Sequence, residues 1–250
     1  MSKPSQAPSP LAFVVTAGPT REFIDPVRFL SNPSTGRMGF EVARAAAARG
    51  HSVSLVSGPV SLKTPKGVER IDVTSARDML SAVLARLREL ERRPVRVVFV
   101  ATAAVADWRP AECASAKLKK GAMRPVLRLV RNPDILKTVS RRFAQTRNSP
   151  QATLHVATCS TRLIHSARAP LLVGFAAETG DPVAEALRKC REKNLAMVVA
   201  NDVTEPGAGF GTPTNRAALV RRNGSVQRLP LMSKAALARK IVRECEDLCS

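Results

Sequence analysis

The residues with chemical reach stand in polar stretches that follow apolar runs. LAFVVTAG at 11–18 leads into Thr16-Ala17-Gly18-Pro19-Thr20-Arg21, and then into Ser31-Asn32-Pro33-Ser34-Thr35-Gly36-Arg37-Met38-Gly39. The second stretch is small, polar and opens a helix, so its backbone N–H groups could cradle an anion. It reads equally as a plain loop with a helix cap. No GxGxxG stands directly after the apolar run, so the dinucleotide fingerprint is missing. Ala101-Thr102-Ala103-Ala104-Val105-Ala106-Asp107 leaves a second apolar run. Asp107 could accept hydrogen bonds from ribose hydroxyls, join a metal shell, or only cap its loop. Lys117, Lys119 and Lys120 set three ammonium groups in four residues, point charges suited to phosphate or to a solvated surface. Phe175, in Gly174-Phe175-Ala176-Ala177-Glu178, could stack on a base or fill a core. Lys189 and Lys193, at i,i+4, share a helix face and could meet a triphosphate or solvent.

Ligands of open α/β sheets bind beyond the carboxyl ends of the strands, so the elements around these stretches decide what they can do. The runs 11–18, 52–59, 94–106, 171–178 and 195–202 read as buried strands. FEVARAAAARG ends at Gly50 and reads as a helix with a glycine just past its C-terminus. Ser75 caps a second helix over 76–91, residues 181–193 form another, and the last covers 233–247. The alternation in 125–131 predicts an edge strand, and 217–229 a hairpin turning at Asn223-Gly224. The fold class is α/β, a Rossmann-like doubly wound, mostly parallel sheet with a small β-ribbon extension late in the chain.

Composition bounds the rest. A chain of 250 residues with 44% hydrophobics builds one sizeable core. MSKPSQAPSP is polar and is read as a disordered leader over 1–10, with no signal-peptide features. The longest apolar run, Val95 to Ala106, is well short of the roughly 18 residues of a membrane helix. Cys113, Cys159, Cys190, Cys245 and Cys249 are odd in number and include no CxxC, which fits a reduced, cytoplasmic compartment. The net charge of +20 points either to a polyanion partner or to a generic basic surface. No Tyr and a single Trp leave no stacking platform for nucleic acid, and specific nucleic-acid binding is not expected.

TAGPTREFIDPVRFLSNPSTGRMG, ATAAVADWRP, KLKK, LVRNPDIL, VGFAAET, KNLAMVVANDV and GFGTPTN occur in that order across about 12–245. The series resembles bacterial phosphopantothenate–cysteine ligases, the synthetase part of the bifunctional coenzyme A biosynthesis flavoprotein. The resemblance implies an acyl-nucleotide mechanism. A nucleoside triphosphate, CTP in bacterial members and ATP in eukaryotic ones, activates the carboxylate of 4'-phosphopantothenate with loss of pyrophosphate. The amine of L-cysteine then displaces the monophosphate. Mg2+ is expected, held mainly by the nucleotide phosphates. It also implies a homodimer, with GFGTPTN and the late hairpin contributing to the contact.

Carried over residue by residue, the resemblance assigns Ala101, Thr102, Ala103, Asp107, Lys117, Asn132, Pro133, Asp134, Ile135, Phe175, Lys189 and Lys193 to the nucleotide. Lys117 falls at the α-phosphate, Lys189 and Lys193 at the outer phosphates, and Phe175 with 101–103 at the base. Asn32 matches the asparagine that holds the acyl-nucleotide, and Arg28 a neighbouring arginine. The substrate phosphate is expected near Ser34, Thr35, Gly36, Met38 and Gly39. Pro33, Thr35 and Thr102 depart from the commoner residues of the pattern. The flavin-binding decarboxylase domain usually fused upstream is missing, so no FMN is expected and a separate phosphopantothenoylcysteine decarboxylase is implied. About 147–170 reads as an insertion carrying His155, Cys159 and His165, whose default is a solvated loop rather than a zinc site. Two other functions compete. A nucleotide- or RNA-binding module on the same fold would lack the ligase activity. A short-chain oxidoreductase is disfavoured by the missing glycine fingerprint and the lack of tyrosine.

Overall fold

The computed structural model describes residues 10–119, 126–147, 169–202, 204–207, 209 and 211–250. The anticipated leader, except Pro10, and most of the anticipated insertion lie outside these residues, as do His155, Cys159 and His165.

The chain alternates as its apolar runs dictate. β1 (Leu11–Ala17) passes through a hairpin of β2 (Arg21–Phe23) and β3 (Phe29–Ser31) into α1 (Arg37–Ala48) and β4 (Ser52–Ser57). β5 (Val68–Asp72), α2 (Ala76–Glu91) and β6 (Arg96–Ala101) follow. A ribbon of β7 (Trp108–Pro110) and β8 (Leu129–Arg131) precedes α3 (Ile135–Arg147). β9 (Leu171–Glu178), α4 (Val183–Glu192) and β10 (Met197–Asp202) continue the alternation. The chain closes with β11 (Thr214–Asn215), β12 (Ala218–Arg221), β13 (Val226–Arg228), β14 (Met232–Ser233) and α5 (Lys234–Asp247).

Eight strands form one sheet in the order β13-β12-β10-β9-β6-β1-β4-β5. Its six strands from β10 to β5 are mutually parallel. The strand order reverses between β1 and β6, the position where such sheets bind ligands. Both faces are covered, which is why the central strands are apolar throughout rather than alternating. Phe13 and Val15 of β1 face a core built with α1 and α5, whereas Ala12 and Val14 face one built with α2, α3 and α4. Each fully buried Val, Leu or Phe contributes about 1.5–3 kcal/mol of apolar burial.

Local chemistry sets the helix ends. Ser75 Oγ accepts from Asp78 N at 3.2 Å and Asp78 Oδ2 accepts from Ser75 N at 2.9 Å, a reciprocal cap for α2. α1 begins at Arg37, a turn earlier than the Ala-rich run implies, because Gly36 adopts φ +77° and turns the chain straight into the helix.

Three sequence expectations are revised. The alternating stretch 125–131 supplies β8 (129–131), which among the described residues pairs with β7 in a separate two-stranded ribbon and is not an edge of the main sheet. The edges are β13 and β5, and the charged Glu69, Arg70 and Asp72 of β5 masked it as a strand while protecting it from edge pairing. The hairpin at Asn223-Gly224 forms, but it is not a separate ribbon. β12 pairs antiparallel with β10, Ala218 opposite Ala200 and Val220 opposite Val198, so it extends the main sheet.

A buried polar knot ties the ends of the chain together. His51 Nδ1 accepts from Leu11 N at 3.2 Å, which leaves Nε2–H to donate to Glu246 Oε1 at 2.7 Å. Arg49 Nε donates to the same oxygen at 2.6 Å. Burial opposes ionisation of Glu246, but Arg49 and His51 outweigh it and hold its pKa below the ordinary value. The carboxylate therefore contributes stability above the unfolded glutamate pKa of about 4.3, and that contribution is lost as pH falls through the lower folded pKa. Glu246→Gln is expected to lower the unfolding free energy by about 1–3 kcal/mol at neutral pH, and the difference from wild type should shrink in acid. Urea unfolding at neutral pH and below pH about 4 checks both; an unchanged neutral midpoint would remove the knot from the account of stability.

Candidate functional site

At the β1/β6 reversal the loops after the two strands are laced together. Thr102 Oγ1 donates to Thr16 O at 2.5 Å, Ala104 N to Gly18 O at 2.9 Å, and Ala106 N to Thr20 Oγ1 at 3.0 Å. Thr102, a departure from the expected Ala-rich pattern, thus uses its hydroxyl to hold the two loops. The first turn of α1 lies directly against them. A Cβ on Gly39 would come within 2.4 Å of Thr102 Oγ1 and 2.5 Å of the Ala17 methyl, so no side chain fits there. Gly36 packs against Gly18 in the same way, both at positive φ.

This close approach borders a partly open cavity of about 150 Å³ beyond the strand ends. One wall is the turn Ser34, Thr35, Gly36, Arg37, Met38 and Gly39. Another is Ala101, Thr102, Ala103 and Ala104, and Phe175 and Ala177 of β9 form the floor beside them. The remaining wall comes from Asn201, Gly209, Gly211, Asn215 and Lys234; the first four lie in the motifs KNLAMVVANDV and GFGTPTN, which the sequence reading did not assign to the site, and Lys234 it did not single out. The β11–β14 pair carries Asn215 and leads directly into Lys234. One sequence signal was available: a lysine in the first turn of a helix opposes the helix dipole.

The other anticipated residues stand outside that cavity, in two connected groups. Asn32 adjoins it, donating Nδ2–H to Ala104 O at 3.1 Å. In the first group, buried Asp25 accepts from Val27 N at 2.9 Å, Arg28 N at 2.8 Å and Leu118 N at 3.1 Å, and from the Arg28 guanidinium. The Arg28 guanidinium, chiefly, holds the Asp25 carboxyl well below the usual range. Arg28 also donates to Leu118 O at 2.9 Å. Both backbone groups of Leu118 are thereby clamped, and exposed Lys117 rides on the same platform as Arg28.

The second group is the turn 132–135. Asn132 N donates to Asp107 O at 2.7 Å, and its Nδ2 to Ala106 O at 2.8 Å. The Asp107 side chain is exposed. Ile135 is buried in the core, so only its backbone is available to a ligand. Asp134 Oδ1 caps α3 through Lys137 N at 2.9 Å, and Oδ2 meets Lys193 Nζ at 2.7 Å. Burial opposes ionisation of Asp134, but Lys193 and the Lys137 N–H outweigh it and keep the carboxyl below its ordinary pKa. Lys189 Nζ pairs with Glu178 Oε1 at 2.6 Å. Both helix lysines are thus ion-paired, and a phosphate would have to share or displace their carboxylates.

The family model for the DNA/pantothenate metabolism flavoprotein C-terminal domain matches residues 10–168 and 156–248. The chain is 42% identical over 246 residues to the coenzyme A biosynthesis bifunctional protein CoaBC of Vibrio vulnificus, covering 96% of this chain and 54% of that protein. It is 40% identical over 237 residues to CoaBC of Escherichia coli strain K12, covering 94% of this chain and 51% of that one. The chain therefore spans about half the length of these curated relatives. The crystal structure of the C-terminal domain of CoaBC superposes with a TM-score of 0.72 at 36% identity, covering 98% of each chain. A Cab2 mutant in complex with phosphopantothenate-cysteine superposes with a TM-score of 0.69, covering 95% of this chain and 87% of that one. At 16% identity, this second likeness is one of fold alone. With the match running over nearly its whole length, the chain belongs to the family of the DNA/pantothenate metabolism flavoprotein C-terminal domain.

Proposed function

We propose that this protein joins 4'-phosphopantothenate to L-cysteine, forming 4'-phosphopantothenoylcysteine on the route to coenzyme A. The reaction is driven by a nucleoside triphosphate, with CTP preferred over ATP. The observation that carries this reading is the convergence at the sheet's reversal point of the Ser34–Gly39 turn, the Ala101–Ala104 loop and Phe175. The names borne by the similar proteins support the same pathway. The product is the substrate of a phosphopantothenoylcysteine decarboxylase, and the reading places the reaction in the cytoplasm. Among the described residues, no helix is long and apolar enough to cross a membrane.

Two displacements make up the reaction. A carboxylate oxygen of the acyl substrate attacks the α-phosphorus, the bond to the β-phosphate oxygen breaks and pyrophosphate leaves. The cysteine amine then attacks the acyl carbon, the acyl–oxygen bond breaks, the nucleoside monophosphate leaves and the amine loses its proton. Both attacking groups belong to substrates, so the protein's task is positioning and charge stabilisation. Lys117, with Arg28 on the platform clamped by Asp25, faces the charge that builds on the α-phosphate. Asn32 holds the acyl-nucleotide for the amine, its own NH2 anchored on Ala104 O. Lys189 and Lys193 serve the outer phosphates. The 101–103 backbone and Phe175 frame the base, with Asp107 and the turn 132–135 alongside. Mg2+ would serve as the counterion of the triphosphate, held mainly by its oxygens, and would neutralise the departing pyrophosphate.

A homodimer belongs to this reading. What supports it is a band of exposed apolar side chains on and beside the β7–β8 ribbon: Trp108, Val126, Leu127 and Leu129. The exposed apolar surface is richer there than on the late hairpin, where the sequence reading had put the contact. Light scattering at micromolar concentration should give twice the chain mass, and a monomer mass would refute the dimer.

Activity is tested by pyrophosphate release with each substrate omitted in turn. Release should require 4'-phosphopantothenate and not cysteine, and kcat/KM should be higher with CTP than with ATP. Release independent of 4'-phosphopantothenate would remove the ligase reading; equal or better use of ATP would remove the CTP preference.

The two half-reactions separate by mutation. Lys117→Gln should slow pyrophosphate release by about 100- to 1,000-fold, even without cysteine, as loss of one preorganised donor does. Asn32→Asp should still form the acyl-nucleotide and accumulate it, because a carboxylate cannot donate to Ala104 O and the acyl group is no longer held for the amine. Mass spectrometry of quenched reactions reads the acyl-nucleotide: present with the Asn32 variant, absent with the Lys117 variant. Equal loss of pyrophosphate release in both would contradict this division of labour.

A further inference from the structure

Ala101, Thr102, Ala103 and Phe175, assigned to the base, lie on β6, the loop after it and β9, on one flank of β1. On the other flank, where β4 and β5 end, is an open cleft of about 450 Å³ to which no substrate has been assigned. Arg21 of β2, Val60 beyond β4, Arg70 and Asp72 of β5, and Thr74 line it. Arg21 N donates to Thr74 O at 2.8 Å, which fixes the start of β2 against the segment after β5.

The two arginines of this cleft differ in compensation. Arg70 is satisfied: Nε donates to Asp72 Oδ1 at 2.7 Å and Nη1 to Leu62 O at 2.8 Å. The half-buried Arg21 guanidinium lies 4.7 Å over the Phe29 ring and makes no hydrogen bond or ion pair with a described residue. The ring holds the guanidinium in place but leaves its N–H groups without acceptors. One positive charge in the cleft is therefore unanswered. A guanidinium in that state presents a planar fork that a single carboxylate matches with two parallel hydrogen bonds. A triphosphate would bring several negative charges to one free cation, with the Asp72 carboxylate beside it.

The cleft also stands next to the reacting groups. Arg21 pairs with Ser31 across the β2–β3 hairpin, so its side chain shares a face with the residue that precedes Asn32. Val60 sits against Gly18 and Gly36, on the turn that leads into α1. In the ligase reading Asn32 holds the acyl-nucleotide, and the nucleotide takes the β6–β9 flank. The amino acid needs a seat from which its amine reaches the same acyl group, and no residue has been given to it.

Resting on that reading, we propose that Arg21 binds the α-carboxylate of the incoming cysteine in this cleft and aims its amine at the acyl group. The contact selects an α-amino acid over the corresponding simple amine. It acts only in the second displacement, after pyrophosphate has left.

The test uses Arg21→Met, which keeps an apolar stem over Phe29 and removes the charge, and Arg21→Lys, which keeps the charge without the fork. KM for cysteine should rise about 10- to 100-fold in the Met variant, the range of one charge-assisted hydrogen bond. The preference for cysteine over cysteamine, which lacks the carboxylate, should fall by the same factor, and the Lys variant should recover part of it. Pyrophosphate release without cysteine, and KM for CTP and for 4'-phosphopantothenate, should stay at the wild-type values, which a merely misfolded variant would not show. An unchanged preference for cysteine, an equal loss with cysteamine, or loss of cysteine-independent pyrophosphate release in both variants would each overturn the assignment. Failure of the ligase reading looks different. The wild-type protein would then release no pyrophosphate with 4'-phosphopantothenate, and the carboxylate seat would fall with it.

Discussion

The site depends on how closely the first turn of α1 comes to the ends of β1 and β6. Gly39 allows that approach because any Cβ would collide with Thr102 and Ala17, and Gly36 because it can turn the chain at positive φ. From this contact the rest follows. The two strand-end loops are laced by Thr16, Thr20 and Thr102, the first turn of α1 lines a small cleft, and β9 and β10 bring Phe175 and Asn201 to its edge. A parallel sheet supplies the frame, but glycine at two positions sets the depth of the cleft.

Charge is distributed unevenly around this cleft. The net charge of +20 describes the whole chain, yet the cations nearest the site differ in kind. Lys189 and Lys193 are engaged by Glu178 and Asp134. Arg28 is engaged by Asp25, which spends its lone pairs on fixing the segment next to Lys117. Lys234 is buried, with no carboxylate in ion-pair reach among the described residues. Paired cations can yield to a phosphate at modest cost, because they exchange one anion for another. A buried unpaired cation gains far more from the same event, since its desolvation has already been incurred on folding. Spacing in the sequence could group Lys189 with Lys193, but only packing reveals which charges are compensated.

Much of the architecture was legible from residue order. Continuous apolar runs gave the central strands because a doubly covered sheet needs no polar alternation, and Ser75 gave the start of α2 to the residue. Charged β5 was missed because an edge strand need not be apolar. β8 was misplaced because alternation reports one half-buried face and says nothing of which strand pairs with it. The hairpin at Asn223-Gly224 was found through its turn, but that it joins β10 was decided by the apolar face of Ala218 and Val220 meeting the open edge of the sheet.

By itself, then, the sequence determined the order of the buried central strands, the carboxyl ends where a ligand must bind, and the motif series that marks the family. These rest on local periodicity and on residue types whose effect is felt within a few positions. Tertiary structure alone decided that Lys234, nearly two hundred residues beyond Gly36, shares a cavity with it. It also decided that Asp25 clamps the backbone beside Lys117, and that Glu246 closes onto His51 and Arg49. The physical reason is that burial and charge compensation are properties of a neighbourhood in space, and such neighbourhoods are assembled from segments whose separation along the chain leaves no local signature.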